Sequence, residues 1–276
     1  MTKILFPTDF SENANNALKY AEHIVATLKA ELILFDAWEM PNANSSLNMP
    51  SEKQIESHIK KRMQELLARL RKSDLVKNLP IRNRIKKGKM ASLVKNMVKE
   101  EAIDLVIMGT KGASGLRKIL MGSNTAAVIE KADVPVLCVP EKATFNNLKK
   151  IVFTTDIRDY NLPALKESVE FAKKFDAEVI ITHIGDTEFD KRDELSQFKK
   201  LIMEEVSYEK ISYKYFSSLD LVDGLNHYVE NNDIDLVAMT TKRRSFFRSL
   251  LEKSITKEMV YHTKVPLLVF QAKAKK

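Results

Sequence analysis

The 276-residue chain is too long for one small module and suits two domains of ordinary size. With 44% hydrophobic and 30% charged residues it can bury a sizeable core, which excludes a disordered or low-complexity chain. The formal net charge of +8 is uneven: residues 1–140 carry 22 Lys and Arg against 15 Asp and Glu, and residues 141–276 carry 23 against 22. No apolar run approaches the roughly 18 residues of a membrane span. The N-terminal MTKILFPTDF has neither the length nor the cleavage pattern of a signal peptide. A soluble protein of the cytoplasm, without a membrane partner, is expected.

In chain order, ILF at 4–6 reads as a first strand. Ala14, Ala17, Leu18, Ala21, Ile24, Val25 and Leu28 then recur at helical spacing behind Ser11, a suitable N-cap. Strand ELILFDA follows from Glu31, and the turn formers of MPNANSSLNMPSEK after Met40 mark a loop. A long amphipathic helix runs from about Glu52 to Lys72 and leads to strand IRNRIKK. There Arg82, Arg84 and Lys86 alternate with Asn83, Ile85 and Lys87, as on a sheet edge blunted by charge. A nucleic-acid surface would add interleaved aromatics or a recognisable motif; neither is present, so nucleic acid is not an expected partner. Helix SLVKNMVKEE, strand DLVIMG, helix NTAAVIEKA and strand VPVLCV complete the series. The single cysteine, Cys138, excludes an internal disulfide and a cysteine zinc cluster, and reads as a small buried hydrophobe.

The chain then repeats itself. KILFPTDF from Lys3 is echoed by KIVFTTDI from Lys150, an offset of 147 residues. IDLVIMGTK from Ile103 is echoed by IDLVAMTTK from Ile234, and VPVLCVP from Val134 by VPLLVF from Val265, both offset by 131. The difference of 16 places an insertion in the first copy, in the loop after Met40. Two tandem copies are therefore expected, at 1–142 and 148–276. Strands alternating with helices predict that each is an α/β, doubly wound, Rossmann-like domain: a five-stranded parallel sheet with helices on both faces. Ligands in such sheets sit at the carboxyl ends of the strands, where strand order reverses.

Four of the seven glycines fall within residues 109–122, in the pattern G-x2-G-x9-G-S formed by Gly109, Gly112, Gly122 and Ser123. Glycines let a backbone take positive φ and approach a ligand closely, so such a loop can aim several N–H groups at phosphates. A helix starting near Ser123 adds its positive dipole end. The spacing matches neither a Walker A loop nor the G-x-G-x-x-G fingerprint, and glycines could simply shape a loop. Asp9, at the carboxyl end of the first strand, faces the same switch point. It can accept from ribose hydroxyls, help neutralise phosphate through a divalent ion, or cap the first helix.

On PTDFSE after the first strand, DLVIMGTKG, the glycine loop and the closing VPVLCVP strand, the chain resembles the universal stress protein family over nearly its whole length, as two copies. In ATP-binding members of that family, the glycine loop and following Ser hold ribose and phosphates, and the Asp after strand one holds polar groups of the nucleoside. The resemblance implies a cofactor, ATP with or without Mg²⁺, at Asp9, Gly109, Gly112, Gly122, Ser123 and Asn124. Main chain near Pro7, Thr8, Ala37 and Met108 would surround ribose and adenine, Ala37 resting on a strand-end alignment alone.

The second copy departs from this pattern. Thr240 stands at the position of Gly109, Arg243 at Gly112 and Lys253 at Gly122, so its loop glycines are gone, and Asp156 is left as a helix cap. Arg243, Arg244, Arg248 and Lys253 could bind another anion or remain solvated. One nucleotide site per chain is expected. The histidines show no metal-ligand spacing, and no G-x-S-x-G elbow occurs. Lys111 and Arg117 offer charge but no base. Three readings stand: an ATP-binding, non-catalytic stress-response regulator acting on a protein partner or homodimer; a slow ATP hydrolase using the same pocket; or a nucleotide-free scaffold joined through its last strands.

Overall fold

The computed structural model describes residues 1–40, 50–110, 122–156, 161–185, 192–217, 221–241 and 265–272. In the first half, β1 (Lys3–Pro7), β2 (Glu31–Trp38), β3 (Ile81–Lys87), β4 (Leu105–Gly109) and β5 (Val136–Val139) alternate with α1 (Glu12–Leu28), α2 (Glu52–Leu70), α3 (Met90–Glu100) and α4 (Ser123–Lys131). The second half supplies β6 (Lys150–Thr154), α5 (Leu162–Lys173), β7 (Glu178–Gly185), α6 (Arg192–Glu205), β8 (Ile211–Ser217), α7 (Leu221–Asn231), β9 (Leu236–Thr241) and β10 (Leu267–Gln271). The position of a last helix in this half falls outside the described residues.

Local chemistry sets the helix ends. Ser11 is the N-cap of α1, its hydroxyl accepting from Ala14 N, and Lys29 closes the helix in the left-handed region at φ 49. Ser51 and Gln54 form a capping box on α2, with Ser51 N donating to Gln54 Oε1 at 2.7 Å.

The strands form one ten-stranded sheet in the order β3-β2-β1-β4-β5-β10-β9-β6-β7-β8. Every pairing is parallel except β5 with β10, where Cys138 faces Leu267 and Val136 faces Val269. Each half is thus a doubly wound five-stranded parallel sheet, and the halves join through their last strands. The central strands read as apolar runs because both faces are covered. On one face, Ile4, Phe6 and Leu34 pack under α1 and α2, and Phe153 and Phe270 continue that layer to α5. On the other, Leu5, Ile33 and Val106 pack under α3 and α4. Cys138 belongs to this second layer, where burial pushes its thiol up to about 12.

β3 forms one rim of the sheet, as its alternating charges predict. Arg82 pairs with Glu31 and Glu101, Arg84 with Glu101 at 2.8 Å, and Lys86 with Glu100 at 3.1 Å. The cations that make this strand look like a nucleic-acid surface are therefore neutralised locally. Among the described residues, no helix is long and apolar enough to cross a membrane.

Candidate functional site

The switch point lies between β1 and β4, which pair directly at Ile4 with Leu105 and Leu5 with Val106. From there β2 and β3 extend one way and β5 the other. The carboxyl ends of β1, β2 and β4 bring together Pro7, Thr8, Asp9, Ala37, Met108 and Gly109, and α4 begins beside them with Gly122, Ser123 and Asn124. Gly112, Lys111 and Arg117 lie outside the described residues.

Thr8 is buried; its N–H bonds Phe35 O at 2.8 Å, and its hydroxyl accepts from Phe10 N at 3.0 Å. This fixes the turn that carries Asp9 to the surface. Asp9 Oδ1 accepts from Ser11 N at 3.0 Å, so it braces the residue that caps α1. Asp9 is exposed at the carboxyl end of β1.

The base of the glycine loop is held at both ends. Gly122 N donates to Thr110 O at 2.7 Å, and the buried Thr125 hydroxyl donates to Gly109 O at 2.9 Å. Residues 110 and 122 are thereby clamped together, so whatever path the intervening chain takes starts and ends at the N-terminus of α4. Gly122 is the N-cap and supplies no side-chain cap, while Ser123 and Asn124 are exposed in the first turn. N–H groups at such a helix start, with the dipole behind them, suit an anion.

Gly109 has a different reason for being glycine than closeness to a ligand. A Cβ at this position would sit 2.0 Å from Asn13 Oδ1, so the missing side chain makes room for α1. It sits inside β4, and its φ is not in the left-handed region.

One group escaped the sequence reading. Asp36, at the carboxyl end of β2, is 6% exposed. Burial pushes its carboxyl up to about 6; nearby Asp9 adds to the rise, and Arg62 opposes it. Arg62 in turn donates to Phe10 O at 3.1 Å and lies 4.5 Å over the Phe10 ring. The available signal was an acid directly after the apolar run Leu32–Phe35, inside the strand rather than beyond it.

The second half keeps the frame and changes the fittings. Thr155 N bonds Thr182 O at 3.0 Å, as Thr8 bonds Phe35. Asp156 Oδ1 accepts from Asn161 Nδ2 at 2.6 Å; Asn161 is the N-cap of α5 and makes no side-chain cap bond. Asp156 thus bonds the residue at the N-cap of α5. Thr240 stands within β9, and Arg243, Arg244, Arg248 and Lys253 fall outside the described residues. Among the described residues, no cluster of three His, Cys, Asp or Glu could hold a metal.

A doubly wound parallel sheet, with residues 110 and 122 clamped beside its switch point, defines the Rossmann-like α/β class. The universal stress protein family model matches residues 1–140 and 218–271, and the chain belongs to that family. A universal stress protein of Methanocaldococcus jannaschii is 32% identical over 157 residues, spanning 51% of this chain and 95% of the relative. One from Bacillus subtilis is 28% identical over 144 residues, spanning 50% and 97%. Such relatives thus correspond to about half of this chain. A crystal structure of a universal stress protein from Archaeoglobus fulgidus matches the whole chain, with 98% of each covered, a TM-score of 0.77 and 18% identity. That likeness shows the fold.

Proposed function

We propose that this chain is an ATP-binding, non-catalytic regulator of the stress-response type, with a single adenine-nucleotide site in a unit spanning residues 1–142. The observation that carries this reading is the clamp of Gly122 N on Thr110 O, which sets the ends of the glycine loop at the start of α4. The free N–H groups there, with Gly112 and Gly122, would hold the phosphates, and Ser123 and Asn124 would add side-chain hydrogen bonds. Asp9 would take ribose hydroxyls, and main chain at Pro7, Thr8, Ala37 and Met108 would bound the base. Mg²⁺ would enter with the phosphates, since Asp9 stands at the site and, among the described residues, no cluster of three His, Cys, Asp or Glu could hold a metal. The unit at 148–276, with Arg243 at the position of Gly112 and Lys253 at that of Gly122, would leave no second cradle. The family and the charge pattern suit action in the cytoplasm through a protein partner.

Mass spectrometry of the nucleotide released from purified protein, followed by turnover with Mg²⁺, tests this reading. ATP retained intact supports it, and rapid phosphate release would instead establish a hydrolase.

One observation favours a second reading. The β5–β10 pairing joins the two last strands within one chain. A nucleotide-free scaffold, its pairing edge satisfied internally, would show no adenine nucleotide affinity in the same experiment.

A further inference from the structure

Phe10, the residue after Asp9, stands in the left-handed region at φ 59. For a residue with a bulky side chain that backbone is an outlier, and it persists only where the surroundings over-determine it. Phe10 N donates to the buried Thr8 hydroxyl at 3.0 Å, and Phe10 O accepts from Asn15 Nδ2 at 3.3 Å and from Arg62 Nη2 at 3.1 Å. The Arg62 guanidinium also lies 4.5 Å over the Phe10 ring.

Thr8 and Asn15 are near neighbours of Phe10 in the chain, whereas Arg62 comes from α2, 52 positions away. The next residue, Met63, has no exposed surface and belongs to the core layer shared with α1, so the Arg62 stem starts from a fixed point. A planar guanidinium can bond a carbonyl and cover a ring at once, which a compact ammonium does less well. The turn held in this way also carries Asp9, whose Oδ1 accepts from Ser11 N on the other side of Phe10. The charge of Arg62 reaches Asp36 as well, where it opposes the rise caused by burial and by Asp9.

We propose that Arg62 is a positioning residue of the nucleotide site: by bonding Phe10 O and covering its ring, it holds the strained turn from which Asp9 meets the ribose hydroxyls. This rests on the adenine-nucleotide reading above and adds to it a residue of α2, outside the glycine loop. Without Arg62, Phe10 is released toward the negative φ that its side chain prefers, and the neighbouring carboxylate turns with the backbone. Arg62 acts through Phe10 and Asp9, so its effect is felt at the sugar and not at the phosphates.

The test is isothermal titration of the full chain with ATP and with 2′,3′-dideoxy-ATP, which has the same base and phosphates without the hydroxyls, before and after Arg62→Met. Met keeps the helix propensity of Arg and much of its length but has no donor. The unaltered chain should prefer ATP by about tenfold or more, as hydrogen bonds to a charged group allow. Arg62→Met should cut that preference at least about fivefold through ATP alone, leaving the affinity for the dideoxy ligand unchanged. Arg62→Leu, titrated alongside, should do the same and guards against a defect peculiar to one side chain. A merely structural role, or a guanidinium bound directly to phosphate, would weaken both ligands alike and keep the preference; that result overturns the proposal. An unaltered chain that binds both ligands equally overturns it too, while leaving the nucleotide site in place. Binding of neither ligand would remove the site itself, and the inference with it.

Discussion

Asp36 and His183 occupy the same place in the two halves, one residue beyond the strand position paired with the end of β1 or β6. Each is 6% exposed. In the second half His183 Nδ1 bonds Thr155 O at 2.8 Å, tying β7 to the turn after β6. In the first half that position holds a carboxyl between Asp9 and Arg62. The repeat has thus kept a buried polar group at the edge of the crevice while changing its charge type, so the two crevices differ electrostatically as well as in their glycines.

A pH dependence follows for the first half. The Asp36 carboxyl moves from its ordinary value of 3.8 to about 6 on folding. A carboxyl with a raised value binds its proton more tightly in the folded state, so its favourable contribution is complete below 3.8 and disappears as pH rises through about 6. Between pH 5 and pH 8 that is on the order of 1 kcal/mol of stability lost. Asp36→Asn should remove this part of the slope and make the variant relatively more stable at pH 8. Urea unfolding of both proteins at the two pH values measures the difference; parallel slopes would show that Asp36 does not titrate there.

Gly109 is placed for α1. Gly109→Ala should cost about 1–3 kcal/mol, since the new methyl overlaps the buried Asn13 amide. In an Asn13→Ala background the same change should cost under about 1 kcal/mol, because the colliding atom is gone. A double-mutant cycle by chemical denaturation reads this directly, and an additive result would place the strain elsewhere.

Thr125 clamps the base of the loop. Thr125→Val keeps the shape and removes the bond to Gly109 O, at a cost of about 1–2 kcal/mol. If the clamp aims the loop, ATP affinity should fall further than stability does, whereas Thr125→Ser should retain both. Calorimetric titration of the two variants separates these effects.

The charged rim should be silent toward nucleic acid. Arg82 and Arg84 are committed to Glu31 and Glu101, so Arg82→Ala with Arg84→Ala should change stability modestly and leave no measurable loss of duplex binding at physiological salt. Gel-shift titration checks this; a specific complex abolished by the pair would assign the strand to nucleic acid.

Much of the frame was readable because periodicity reports burial. Ser11 as a cap, the charged edge at Arg82 and Arg84, and the second copy all follow from spacing and self-similarity. What spacing does not report is contact across the fold. The collision that makes Gly109 a glycine depends on Asn13, 96 positions earlier in the chain, and the Thr125 clamp depends on where α4 meets β4. Asp36 was hidden by its apolar neighbours, since a strand pattern treats one acid at its end as a turn residue. The join of the halves through β5 and β10 likewise needs both copies, and no single copy contains it.

The most direct measurement is the stoichiometry of ATP binding to the full chain by isothermal titration, repeated with Gly112→Val. One equivalent per chain is predicted, abolished by Gly112→Val without a change in unfolding midpoint. Two equivalents, none, or one that survives the substitution would contradict a single glycine-loop site in the first half.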